Sequence, residues 1–134
     1  MFDSQKMYSL DELLTFGVSD MANTKPLSYS VNGLTKSVGS WATLTENVVK
    51  SLVVNGDLRK DDLPITVPGR SHKEYVNASG EPLAGTDGKF NKVVDGVYVD
   101  IKYNAWCHIK NIKFILDKLG AYGKYDIKVS LHKV

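Results

Sequence analysis

Cysteine is nearly absent: Cys107 stands alone among 134 residues. That excludes an internal disulfide, a zinc knuckle and a CxxC redox pair, each of which needs at least a second thiol. A solitary free thiol fits a reducing compartment. No apolar run approaches the roughly 18–20 residues that a membrane span requires. The opening Met1-Phe2-Asp3-Ser4-Gln5-Lys6 has no basic stretch leading into an apolar core, so no signal peptide is expected. These absences lead to the expectation of a cytoplasmic protein without membrane contact. No cofactor is implied.

Apolar residues make up 43% of the chain and charged residues 24%, the proportions of a globular protein rather than a disordered one. A chain of this length buries about two thirds of its unfolded surface in one α+β domain. The net charge of +2 carries little information, but its distribution is uneven. Residues 1–23 hold Lys6 against Asp3, Asp11, Glu12 and Asp20. Residues 102–134 hold seven lysines, Lys102, Lys110 and Lys113 among them, against Asp117 and Asp126. That basic third suits a phosphate-bearing or acidic partner, or serves as a solvated face.

Ser9-Leu10-Asp11-Glu12 has capping-box spacing and opens a short helix to about Phe16, which Gly17 ends; Met21 to Pro26 reads as a linker. Leu27–Val31, Asn32-Gly33 and Leu34–Val38 form a hairpin, the dipeptide suiting a turn in which both residues need positive φ. From Ser40 a helix carries Trp41, Leu44, Val48 and Leu52 on one stripe until Asn55-Gly56. Leu63–Val67, broken by Pro64 and Pro68, is confined to an edge strand or extended loop. His72–Asn77 is a candidate strand and residues 78–88 a surface loop. Phe90–Val94, Asp95-Gly96 and Val97–Tyr103 make a second hairpin, with Tyr98, Asp100 and Lys102 on one strand face. Asn104 caps a helix from Ala105 to Leu119, Gly120 stops it, and Tyr125–Leu131 is a last strand. The expectation is an antiparallel sheet of two hairpins plus the C-terminal strand, with two amphipathic helices on one face. Residues 27–56 and 89–120 then form two loosely similar hairpin-helix units.

Several catalytic patterns fail on chemistry. Gly85-Thr86-Asp87-Gly88-Lys89 lacks the spacer and following Ser or Thr of a P-loop and precedes a strand rather than a helix. His72, His108 and His132 each stand without a second metal ligand at helical spacing. Cys107 and His108 are helix neighbours whose side chains diverge, which leaves a buried thiol beside an exposed imidazole. Asp100-Ile101-Lys102 has the carboxylate-x-lysine form with which metal-dependent nucleases hold magnesium, and would need Asp87 or Asp95 as a further acid. Asp95 is better explained as a turn residue.

The segment with most binding character is Pro68-Gly69-Arg70-Ser71-His72-Lys73-Glu74-Tyr75, where cations, a hydroxyl and an aromatic share a flexible stretch. Such a set grips a phosphate or nucleotide. The candidate ligand-binding residues are therefore Arg70, His72, Lys73, Tyr75, Lys102, Lys110 and Lys113. Arg59 and Lys60 could join them, offset by Asp61 and Asp62. Trp41 and Trp106 are expected in the core, whereas Tyr98, Tyr103 and Tyr122 are freer to stack on bases.

Val31-Asn32-Gly33, Ser40-Trp41 with its helix, Lys73-Glu74-Tyr75-Val76, Gly96-Val97-Tyr98-Val99 and the helix ending at Leu119-Gly120 occur in an order that resembles a small accessory domain of bacterial restriction- and defence-linked proteins. The resemblance implies a module appended to larger enzymes and brings no catalytic residues. A free-standing copy would be a phage or bacterial binding protein, taking a nucleotide or nucleic acid. The alternative is a protein-interaction module that binds a protein partner or forms a homo-oligomer; a metal-dependent nuclease is the third reading.

Overall fold

A computed structural model of the chain describes Asp3 and residues 5–133; the N-terminal hexapeptide read above for a leader falls partly outside that range. In chain order the elements are β1 (Tyr8–Ser9), α1 (Leu10–Leu14), α2 (Gly17–Met21), β2 (Thr24–Val31), β3 (Leu34–Ser37), α3 (Trp41–Val54), β4 (Ile65–Val67), β5 (Arg70–Asn77), β6 (Phe90–Val94), β7 (Val97–Asp100), α4 (Ala105–Lys118) and β8 (Ile127–Lys133). The class is α+β. Its strands divide over two four-stranded antiparallel sheets, β1-β8-β2-β3 and β4-β5-β7-β6, where the hydrophobic pattern led to one. Strand periodicity gives which residues face a core but not which strands share a sheet. The chain clusters into two compact units, Met1–Leu44 with Asn104–Val134, and Thr45–Tyr103. Helix α3 crosses from the first into the second.

In the first unit, Ser9 caps α1 as its spacing predicts: its Oγ accepts from the Glu12 amide at 3.1 Å, and the Glu12 carboxylate accepts from the Ser9 amide at 3.1 Å. Gly17 does not end the helical segment. In a left-handed conformation (φ 78°) it begins α2, whose Met21 is buried. The second half of the expected linker is strand, because Thr24 and Pro26 point inward, Lys25 points outward, and β8 runs far enough to pair Lys133 with Thr24. Asn104 caps α4 by accepting from the Cys107 amide at 2.8 Å, and Ile109, Ile112, Ile115 and Leu116 bury its apolar stripe. Both indoles are anchored: Trp41 Nε1 donates to the Thr24 carbonyl and Trp106 Nε1 to the Leu14 carbonyl, at 3.0 and 3.1 Å. The thiol-imidazole expectation is reversed, with His108 buried and Cys107 half-buried. His108 falls in register with the apolar stripe of α4, one position beyond Cys107.

The second unit places its sheet between two different layers. Asn91 and Val99 pair across β6 and β7, and Val76 pairs with Val99 across β5 and β7. On that face the Asn91 amide donates to the Glu46 carboxylate of α3 at 2.9 Å. Val48, Val49, Leu52, Val76, Val97 and Val99 are buried. The opposite strand face carries Lys73, Tyr75, Asn77, Tyr98 and Asp100, and residues 78–89 lie across it. Gly80 packs against the Tyr98 ring and Gly88 against the Asp100 carboxylate. A polar strand face is thus covered by a glycine-rich loop.

Candidate functional site

The segment expected to be a flexible loop is a tight hairpin. Pro68 and Gly69 turn the chain, with Gly69 at φ 76°, and Val67 pairs with Arg70 across the turn. The register then slips between Thr66 and Val67, so Ser71 to Lys73 bulge from the ladder. Arg70 and His72 are exposed there, while Lys73 and Tyr75 turn inward. The sequence signal for Lys73 as an inward residue was its two-residue spacing from Tyr75, masked by its charge.

Lys73 is the centre of the site. Its side chain is only 6% exposed, and its ammonium lies 3.5 Å from Asp100 Oδ2 and 3.6 Å from Asp87 Oδ1. It also donates to the Asp87 main-chain carbonyl and stands 5.7 Å from the centroid of the Tyr103 ring. Asp100 is fully buried, and its Oδ1 accepts from the amides of Lys89 and Lys102, both at 3.0 Å. These two bonds fix the carboxylate where the strand ends. Its Oδ2 accepts no hydrogen bond, so the ion pair with Lys73 is its main compensation in a place where an unpaired charge is costly.

Asp87 has the opposite exposure, 75%, and its Oδ2 meets the Lys102 ammonium at 2.8 Å. Lys102, with Lys73 assisting, holds the Asp87 carboxyl below the usual carboxylate range, and Asp87 in turn raises the Lys102 ammonium. The Tyr75 hydroxyl is sealed in with no hydrogen-bond partner, and burial pushes its ionisation up. Its ring meets Tyr103 edge-on, with centroids 6.1 Å apart.

The structure therefore joins Lys73, Tyr75 and Lys102 from the sequence candidates and adds Asp87, Asp100 and Tyr103. It does not bring all the candidates together. Lys110 and Lys113 belong to the first unit, where Lys110 lies over the Trp106 ring and Lys113 pairs with Asp11 at 2.7 Å. Tyr122, expected to be available for stacking, instead donates to Asp11 at 2.7 Å. Its phenol is pushed up to about 12 by burial and by that carboxylate. Asp95 pairs with Lys92 beside its turn, and Tyr98 packs beneath Gly80.

Asp87, Asp100 and Lys102 do assemble in the pattern of the carboxylate-x-lysine element. The point between the two carboxylates, where that element would hold a divalent ion, is filled by the Lys73 ammonium. Among the described residues no group of three or more His, Cys, Asp or Glu side chains gathers. No protein-family model, curated protein or solved structure matches the chain. Among the described residues no helix is long and apolar enough to cross a membrane.

Proposed function

We propose that the chain is a non-catalytic binding module that takes a nucleic acid or nucleotide at the Lys73 end of the second sheet. One observation carries the reading: the carboxylates at this end, Asp87 and Asp100, are already matched by Lys73 and Lys102, while Arg70, His72 and Lys89 stand exposed nearby. Arg70 and His72 precede Lys73 on β5, and the Lys89 amide and carbonyl bond Asp100 and Ile101. The exposed Arg70 and Lys89 cations beside a neutralised cluster favour phosphate. Tyr103 adds an aromatic surface. The Lys73 ammonium in the cation position supports binding rather than metal-dependent hydrolysis. The resemblance to a defence-linked accessory domain suggests a bacterial or phage setting.

The test is fluorescence anisotropy with labelled single-stranded DNA, RNA and a nucleotide across a salt series. Affinity should fall steeply with salt, and Arg70→Ala and Lys89→Ala should each weaken it. Binding indifferent to salt and to both substitutions would refute the reading.

A second reading, assembly through protein contacts, is favoured by β3. All four of its residues are exposed, among the described residues it pairs only with β2, and Leu34 at its start is 73% exposed. An uncovered edge strand is a template for a further strand. Sedimentation of wild type and Leu34→Asp tests it: a concentration-dependent oligomer that the substitution dissolves would favour this reading over the first.

A further inference from the structure

The loop over the polar face is fastened at its near end by neutral bonds, at its far end by a main-chain amide on the Asp100 carboxylate, and in its distal half through Asp87. At the near end, Asn77 donates to the Glu81 carbonyl at 2.9 Å and accepts from the Gly80 amide at 2.9 Å. At the far end, the Lys89 amide donates to Asp100. Between Leu83 and Gly88, among the described residues, the polar bonds to the sheet all run through Asp87, its carboxylate to Lys73 and Lys102 and its main-chain carbonyl to Lys73, while Gly88 packs against Asp100. Thr86 bonds back to Leu83 within the loop. Glycines at positions 80, 85 and 88 keep this stretch short of side chains.

Asp87 is also placed unlike an ordinary loop carboxylate. Its two oxygens are divided between two ammonium groups, Oδ1 toward Lys73 and Oδ2 toward Lys102. Solvent reaches Asp87 and Lys102 freely, so another anion can approach from that side, and Lys73, 6% exposed, is uncovered as Asp87 leaves. Below it lie an unpartnered Tyr75 hydroxyl and an Asp100 oxygen with no hydrogen bond. The four charges, Lys73 and Lys102 against Asp87 and Asp100, sum to zero.

We propose that Asp87 is an internal stand-in for a nucleic-acid phosphodiester, which displaces it from Lys73 and Lys102 and releases the loop. Charge selects the ligand class. A phosphodiester carries one negative charge, as Asp87 does, so the exchange keeps the cluster neutral. A terminal phosphomonoester carries about −1.5 to −2 and would leave an excess. Phosphate oxygens form strong charge-assisted bonds with lysine. The inference rests on the nucleic-acid reading and adds to it an autoinhibitory contact.

The experiment compares oligonucleotide binding by wild type, Asp87→Asn and Asp95→Asn. Asp95 is a second exposed carboxylate of the same unit, paired with Lys92, so its substitution makes the same charge change away from the cluster. Asp87→Asn should tighten binding about tenfold, the scale of one charge-assisted bond that no longer has to be displaced. Asp95→Asn should not, and Lys102→Ala should cancel the gain. Equal gains from the two asparagine variants would overturn the stand-in while leaving the nucleic-acid reading intact. No binding by any variant at low salt would overturn both. Hydrogen exchange on the wild type gives an independent result. Oligonucleotide should speed exchange at residues 83–88 against the usual protection by a ligand, and slower exchange there would overturn the displacement.

Discussion

The Lys73 ammonium and the Asp100 carboxylate face one another at 3.5 Å, one side chain 6% exposed and the other fully buried. An unpaired charge of either sign is costly in so dry a place. Desolvation of each ion is offset by the other, together with the Asp87 carboxylate and carbonyl and the Tyr103 ring on the lysine and two backbone amides on the aspartate. The pair fastens the loop over the polar strand face and fills the place a metal would need.

Removing the lysine should therefore cost far more than a surface substitution. Lys73→Met leaves Asp100 buried without its counter-ion, an expected loss of about 3–5 kcal/mol in urea unfolding at neutral pH. Adding Asp100→Asn keeps the oxygen that accepts from Lys89 and Lys102 while removing the charge. The double variant should recover much of the loss. A double variant as unstable as the single one would show that the charge is not what matters.

Asp87 should titrate below the usual carboxylate range. Its largest cause is the hydrogen bond from Lys102, followed by the charges of Lys102 and Lys73. A carboxyl lowered on folding adds stability that is complete above its unfolded value and is lost as pH falls through the folded one. Because Asp87 is exposed, the effect on global stability is small, and the loop senses it first. Carboxyl-carbon NMR should give a low midpoint that Lys102→Ala moves upward; a midpoint unmoved by that substitution contradicts the assigned cause.

Gly88 has no left-handed φ, so its requirement for glycine is steric alone. A Cβ there would lie 3.0 Å from Asp100 Oδ2, a carboxylate already held by two amides. Gly88→Ala should lower stability by about 1–3 kcal/mol, as overpacking does, and speed amide exchange in residues 83–88. Wild-type exchange in this variant would mean that the loop accommodates the methyl freely.

In the first unit the capping box of α1 offers a local test. Ser9→Ala deletes the acceptor of the Glu12 amide and should cost about 1 kcal/mol in thermal unfolding. Ser9→Asp, which keeps an acceptor at the N-cap, should retain most of the stability.

The elements legible beforehand were those whose cause is local. Helix α4 follows from Asn104, its apolar stripe and Gly120, which adopts φ 67°. The β2–β3 turn follows from Asn32-Gly33, which take φ 53° and 87°. The second turn pair behaves differently: only Gly96 is left-handed, and the register shifts between Lys92 and Val94. The dipeptide announced the hairpin but not its bulge. In the site, Asp100, Lys102 and Asp87 were visible as a motif, and Lys73 and Tyr75 as a basic-aromatic stretch. That these are one cluster was hidden because 14 residues of chain separate Lys73 from Asp87.

Local chemistry in the sequence determined this protein's class, its long helices, its hairpin turns and the inventory of charged groups, since caps, glycines and periodicity act within a few residues. Only the tertiary structure decided which strands share a sheet, that residues 78–89 cover a polar face, and that a lysine lies between two carboxylates. Those outcomes depend on pairing between distant segments, and electrostatic energy depends on distances in space that spacing along the chain does not encode.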